Sequence, residues 1–234
     1  MSRRALAFAA SASRRSADEA IRYVRWTRPQ RLFLEDDRRT AIWRDGNRLG
    51  KSWALAYEVI ARCRGRHPFK RTHPPPIRAL IVGHSLEQME PLMAAIWRFL
   101  PRSEIDERCG FDPGRGITGK PPRILFTSGP GAGSVVSFAT YRQGSQRVAG
   151  GAYHFIGCDE PATESMFGEL RPRLLTTRGD MRINFTPTPD APPQGWLRDL
   201  VEAGTVPEHN YHLSEATVWP EGAPRPLLYQ AEID

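Results

Sequence analysis

Lysine is almost missing from this sequence. Of 33 basic residues only Lys51, Lys70 and Lys120 are lysines, and the rest are arginine. Cysteine is also scarce: Cys63, Cys109 and Cys158 are odd in number and far apart. That excludes a disulfide framework and a cysteine-based metal site, and it points to a reduced, cytosolic setting. No apolar run approaches the ~20 residues that a membrane-spanning helix needs, so no membrane association is expected. No internal repeat is present. Acidic residues are in deficit, 26 against 33 basic, for a net charge of +7. Arginine forks suit phosphate, so a polyanion partner is compatible with this balance; arginine used in place of lysine can equally follow genome composition.

What remains is ordinary for a globular protein. Hydrophobic residues make up 40% and charged residues 25% of 234 positions, enough for one large domain, or one domain with an appendage. The first twenty residues are rich in Arg, Ala and Ser. They resemble an organelle transit segment in composition, but a frayed basic arm is the simpler expectation.

The pattern alternates strands and helices. A helix is expected over 17–26, ended by Pro29-Gln30. A strand is expected over 40–44, a helix over 51–64, a buried strand over 77–83 and a helix over 85–100 stopped by Pro101. Residues 65–76 and 107–122 read as loops. Residues 124–127 and 134–140 read as two strands about the Gly-rich turn 128–133, a hairpin turn rather than a ligand loop. Further strands are expected near 153–158, 181–185 and 211–216, with helices over 164–175 and 196–203. Such alternation argues for an α/β fold with a mostly parallel central sheet flanked by helices.

Two stretches carry chemistry. In the first, Ile42-Trp43-Arg44-Asp45-Gly46-Asn47-Arg48-Leu49-Gly50-Lys51-Ser52, a strand leads through a glycine-containing loop into a helix. Successive backbone N–H groups turned inward above a helix N-terminus make an anion cradle. Lys51 would reach the β- and γ-phosphates and the Ser52 hydroxyl one Mg²⁺ position. Asp45 stands where the first glycine of the usual Gly-x-x-x-x-Gly-Lys-Ser/Thr pattern belongs. The alternative is a plain helix start with a glycine in the preceding turn.

In the second, Tyr153 to Cys158 is a buried run that closes on Asp159-Glu160. It would place two carboxylates at the C-terminal edge of the sheet, where α/β folds hold ligands. Asp159 would hold Mg²⁺ and Glu160 would orient and deprotonate a water; two acids favoured at a helix start are the alternative. A third strand ends in Thr186-Pro187-Thr188, whose hydroxyls would sense the γ-phosphate. Hydrolysis also wants positive charge at that phosphate, for which Arg48, inside the loop, and Arg147, ahead of the acidic pair, are candidates.

Taken in this order, residues 46–52, 156–161 and 185–188 resemble the N-terminal ATPase half of the large terminase subunits, the genome-packaging motors of tailed bacteriophages. The resemblance spans about residues 22–200. It implies a P-loop NTPase fold of the ASCE type over residues 21–220, after a basic arm at 1–20 and before the start of a linker at 221–234. It implies ATP and Mg²⁺ as cofactors. The phosphates would be bound by Gly46, Asn47, Arg48, Leu49, Gly50, Lys51, Ser52 and Trp53, and adenine would be held near Trp26, Gln30 and Phe33. It implies metal contacts from Ser52 and Asp159, Glu160 as catalytic base, Arg147 or Arg48 on the transition state, and Thr186, Pro187 and Thr188 as a coupling motif. Expected partners are double-stranded DNA, a portal and a small terminase subunit, with a homo-oligomeric ring as the working form, a monomer in isolation, and the host cytoplasm as its place. The chain ends at Asp234, which leaves no room for the family's nuclease domain, so DNA cleavage is not expected. Arg-rich stretches at 62–78 and 98–115 are read as solvated loops, with DNA contact as the alternative. A helicase-like DNA-dependent ATPase, or a DNA-binding assembly subunit with a weak nucleotide site, is the competing reading.

Overall fold

The structure is a computed structural model, and it describes residues 21, 24–46, 49–143, 151–187 and 195–211. Its frame is a seven-stranded sheet in the order β5-β6-β2-β7-β8-β1-β9. The strands are β1 (Thr40–Arg44), β2 (Arg78–Gly83), β5 (Arg123–Leu125), β6 (Val135–Thr140), β7 (Phe155–Asp159), β8 (Asp180–Phe185) and β9 (Glu208–His209). Only the β5–β6 pairing is antiparallel, a hairpin about the 128–133 turn. The other pairings are parallel, so β1, β2, β6, β7 and β8 all end at one edge. A separate two-stranded ribbon, β3 (Phe111–Asp112) with β4 (Gly116–Ile117), sits within the 107–122 excursion.

Strand alternation builds two cores. In β1, Ala41 and Trp43 enter one layer and Ile42 the other; in β2, Ala79 and Ile81 oppose Leu80 and Val82. The first layer is closed by α1 (Arg28–Glu35), α2 (Lys51–Cys63) and α3 (Glu90–Phe99). The second is closed by α4 (Glu164–Leu170), α5 (Pro172–Leu175) and α6 (Gly195–Glu202). Helix α2 lies hard against β7. A Cβ built on Gly157 would stand 2.8 Å from Ile81 and 3.0 Å from Leu55, so a side chain here would push the helix off the sheet.

Several expected boundaries move. Pro29-Gln30 starts a helix instead of ending one. Proline is tolerated in a first turn, where its missing N–H costs nothing. Thr27 and Gln30 form a reciprocal capping box, with Thr27 Oγ1 accepting from the Gln30 amide at 3.3 Å and Gln30 Oε1 from the Thr27 amide at 3.0 Å. Of the helix expected over 17–26, Ile21 is in a 3-10 turn, while Val24, Arg25 and Trp26 are not helical. The 85–100 helix begins only at Glu90, because Pro91 prefers the first turn. Pro172 divides the 164–175 helix into α4 and α5. The last strand is Glu208–His209; of residues 211–216 only Tyr211 is described, and it lies outside any strand. Among the described residues no helix is long and apolar enough to cross a membrane.

Beneath the sheet's far end, α2 carries a buried ionic cluster. Glu58 is fully buried and lies 2.8 Å from each of Arg62, His67 and Lys70, and 3.8 Å from Arg182. Arg62 also pairs with Asp180 at 2.6 Å. Arg64, buried too, forks onto Glu104. These arginines of the 62–78 stretch are therefore spent inside the protein and do not face DNA.

Candidate active site

The sheet edge gathers the two stretches singled out in the sequence. β1 feeds a loop that enters α2 at Lys51, β7 ends at Asp159, and β8 lies between them, pairing with both. Ser52 Oγ donates to Asp159 Oδ1 at 3.4 Å, across 107 residues of sequence. Lys51 Nζ donates at 2.7 Å to the carbonyls of Asp45 and Gly46, across the mouth of its own loop. The strands dictate this meeting, because parallel strands bring their C-terminal ends, and the loops that follow, to one side.

Gly50 is required at the turn into α2. Its φ is 78°, and a Cβ there would fall 2.2 Å from Gln30 Nε2. That Nε2 donates to the Gly50 carbonyl at 3.2 Å, while Gln30 Oε1 serves the capping box. Gln30 is thus a brace between α1 and the loop, and both its amide atoms have protein partners. Phe33 does not reach the surface: it is fully buried, with its ring 5.1 Å from Trp43 and edge-on to His209. Trp26 is buried edge-on against Tyr57. The rings expected near adenine are core packing.

Asp45, the departure from the usual glycine, has a structural explanation. Its Oδ2 accepts from the Trp43 indole at 2.7 Å and from the Tyr211 backbone amide at 2.8 Å. The carboxylate ties the end of β1 to the chain leaving β9. Leu49 points down into the core, and Trp53 packs sideways onto Phe99, with Arg98 over its ring. Gly46 has open space about it. Asn47, Arg48, Arg147 and Thr188 lie outside the described residues.

Charge is concentrated here and poorly solvated. Burial lowers the Lys51 ammonium from its ordinary pKa, while Glu160, Asp45 and Asp159 pull it back up. Burial, then the neighbouring Glu160, pushes the Asp159 carboxyl up to about 6, against the pull of Ser52, Asn184 and Lys51. Glu160 Oε2 accepts from the Thr186 amide at 3.0 Å. Glu160 adopts a left-handed backbone, φ 72°, and its carbonyl accepts from Tyr141 Oη at 2.7 Å. The oxygens of Ser52 and Asp159, close to the Lys51 ammonium, are of the hard donor type that suits a divalent cation. A cleft of about 570 Å³ at the opposite edge, lined by Arg38, Arg39 and Arg171 among others, is remote from all these groups.

Two participants escaped the sequence reading. Tyr141 gave no signal, since it meets Glu160 only because β6 and β7 flank β2 and end at the same edge. Asn184 gave a faint one: an uncharged polar residue in the buried run Met181 to Phe185.

No curated protein sequence matches the chain closely enough to count as a relative. Solved structures do match. The large terminase of bacteriophage HK97 superposes with a TM-score of 0.58 at 15% identity, covering 86% of this chain and 41% of that one. The ATPase domain of the Thermus phage P74-26 large terminase gives a TM-score of 0.52 at 17% identity, over 68% of this chain and 64% of that one. The large terminase of a thermophilic bacteriophage, solved in complex with ADP, gives 0.56 at 15% identity, over 81% and 46%. The chain thus spans less than two thirds of these proteins, and at such identities they establish a shared fold. The family profile described as terminase large subunit, T4likevirus-type, N-terminal, matches residues 44–194, which run from the end of β1 past the Thr-Pro-Thr turn. The match takes in both key stretches and more than half of the sequence, and the chain belongs to that family of large terminase N-terminal domains.

Proposed function

We propose that this chain is the ATP-hydrolysing domain of a packaging motor that drives double-stranded viral DNA into a procapsid. The observation that carries the reading is the convergence of Lys51, the Ser52–Asp159 pair and the Glu160–Thr186 pair on one sheet edge. A relative of the same fold was solved with ADP.

In this reading the amides of residues 46–52 and the Lys51 ammonium bind the β- and γ-phosphates. Lys51 exchanges its two carbonyl partners for phosphate oxygens of greater charge. Ser52 and Asp159 hold Mg²⁺, which when bound neutralises charge developing on the phosphates. Glu160 accepts a proton from a water in line with the γ-phosphate; the water oxygen bonds to the γ-phosphorus as that phosphorus parts from the bridging β-phosphate oxygen, which leaves with ADP. Arg147 or Arg48 stabilises the transition state; a neighbouring subunit's copy of Arg147 would make the ring faster than the isolated chain, by ~10³–10⁵ for such a finger. Thr186 to Thr188, joined to Glu160 through the Thr186 amide, passes the state of the site to β8. The motor would work as a homo-oligomeric ring on a portal, with a small terminase subunit, in the cytoplasm of the infected host.

The test is steady-state phosphate release with Mg²⁺, with and without double-stranded DNA. Slow turnover that Lys51→Ala abolishes supports the proposal. Absence of nucleotide binding by the parent protein would leave only an assembly role. A helicase-like reading is not favoured, since no helicase-type motif follows residue 188 and the family match is to terminases.

A further inference from the structure

Helix α1 holds the phosphate loop at both of its ends. At the lysine end, Gln30 of α1 donates to the Gly50 carbonyl at 3.2 Å. At the entrance, Asp45 is reached from the C-cap of the same helix, Asp36, by a longer route. His209 Nε2 lies 2.6 Å from Asp36 Oδ2, and His209 Nδ1 lies 2.7 Å from Tyr211 Oη. The Tyr211 amide then donates to Asp45 Oδ2 at 2.8 Å. The relay Asp36–His209–Tyr211–Asp45 therefore joins the end of α1, the edge strand β9 and the loop entrance.

One placement of protons satisfies every member. Nε2–H of His209 donates to the Asp36 carboxylate, and Nδ1 accepts from the Tyr211 hydroxyl. Burial alone would raise the Asp36 carboxyl, but His209 and then Arg38 hold it well below its usual range, so it is an acceptor at neutral pH. Packing fixes the rings as well. β9 sets His209 in register with Trp43. Phe33 meets the His209 ring edge-on, and Tyr211 meets the Trp43 ring edge-on. With both nitrogens bonded and its ring packed, His209 is held to one orientation.

Asp45 is where this relay meets the site. Its carbonyl accepts from Lys51 Nζ at 2.7 Å, while its carboxylate takes the Tyr211 amide. A glycine at this position would offer the carbonyl and no second anchor. An entrance fixed before the ligand arrives has less freedom to lose when the loop closes on phosphate, and that preorganisation appears as affinity.

Resting on the ATPase reading, we infer that His209 is a positioning residue for nucleotide binding: through Tyr211 and Asp45 it presets the entrance of the phosphate loop, as Gln30 presets its exit. β9 thus does more than extend the sheet. It carries the hold of α1 to the far end of the loop.

The experiment uses the full chain and measures phosphate release against Mg·ATP concentration, with ATPγS dissociation constants by calorimetry. The proteins are the parent, His209→Phe, Tyr211→Phe, Asp45→Ala and the double variant His209→Phe/Asp45→Ala. Phenylalanine keeps the ring packing and removes both nitrogens. KM and the ATPγS dissociation constant should rise about 3- to 10-fold in His209→Phe, the equivalent of one neutral hydrogen bond, with kcat within about twofold of the parent's. The double variant should bind no more weakly than Asp45→Ala alone, because both changes cut the same relay. A parent-like KM in His209→Phe, with only its thermal midpoint lowered, would mark the histidine as a fastener of β9 and overturn the inference. Additive losses in the double variant would overturn it too, since His209 would then act by another route. If His209→Phe does not fold, Tyr211→Phe, which lacks only the hydroxyl that meets His209, reports the same change in KM. If the parent neither binds nor hydrolyses ATP, the ATPase reading falls and this inference with it, an outcome distinct from parent-like KM in the variants.

Discussion

The carboxylate of Glu160 lies 3.0 Å from the Thr186 amide, while its own backbone is left-handed at φ 72°. A non-glycine residue in that region costs of order ~1 kcal/mol, and such strain gathers at working sites. Tyr141 Oη, bonded to the Glu160 carbonyl, helps to hold it. Two substitutions separate chemistry from strain. Glu160→Gln keeps shape and nucleotide binding and lowers turnover by ~10²–10⁴. Glu160→Gly also loses turnover, but its thermal midpoint stays at or above the parent's, because glycine adopts this backbone freely. Parent-like phosphate release by Glu160→Gln would reject the residue as base. A midpoint several degrees lower in Glu160→Gly would show that no strain is stored there.

Asp45 is a fastener, so restoring the family's glycine should harm the protein. Asp45→Gly leaves the Trp43 indole and the Tyr211 amide without their shared acceptor. The expected loss is about 1–3 kcal/mol in urea-unfolding free energy, with no gain in nucleotide affinity. Tighter ATP binding by the glycine variant would show instead that the carboxylate obstructs the loop.

Gly50→Ala should abolish nucleotide binding more completely than Gln30→Ala. The alanine meets both an unfavourable φ and the Gln30 carboxamide, whereas removing Gln30 takes away one brace at 3.2 Å and its share of the α1 cap. The double variant separates the two: if the clash dominates, Gln30→Ala partly rescues Gly50→Ala, and if backbone strain dominates it does not. Dissociation constants for ATPγS decide the matter.

The Glu58 cluster sets the acid limb of stability. Burial alone would raise this carboxyl, but Lys70, Arg62 and His67 hold it well below its usual range. Its contribution is thus complete above the unfolded value near 4.5 and is lost as pH falls below that. His67 is held below 6.5, chiefly by burial, so it also withdraws stability on acidification, beginning near pH 6.5. Glu58→Ala strands several buried cations and should cost about 3–5 kcal/mol at pH 7. Below pH 4.5 its unfolding free energy should fall less steeply than the parent's; parallel curves from denaturant melts would refute this account.

The longer strands, the helix after the phosphate loop and the acidic and basic landmarks were legible in the primary structure because each is local; the two-residue strands β3, β4 and β9 were not. β-branched runs, a Gly-Lys-Ser helix start and a hydrophobic run closed by two acids carry their meaning within a dozen residues. Helix starts were misjudged at Pro29 and Pro91, where a proline reads as a breaker unless its place in the first turn is known. Phe33 and Trp26 looked like ligand-facing rings and are buried, since aromatic residues near a motif cannot be told from core until the layers are assembled.

Composition and pattern by themselves determined a parallel α/β frame, the helix that opens at Lys51 and the strand that closes on Asp159, to which the phosphate and metal roles are proposed. Only the folded chain decided that Asp45 would serve β9 instead of the loop, that Arg62 and Arg64 would be buried in ion pairs, and that Asn184 would sit beside Asp159 between β1 and β7. The physical reason is sequence distance. Strand order, the side of the sheet each residue faces and the burial that makes a polar group costly arise from contacts among segments tens to hundreds of residues apart, which no local pattern encodes.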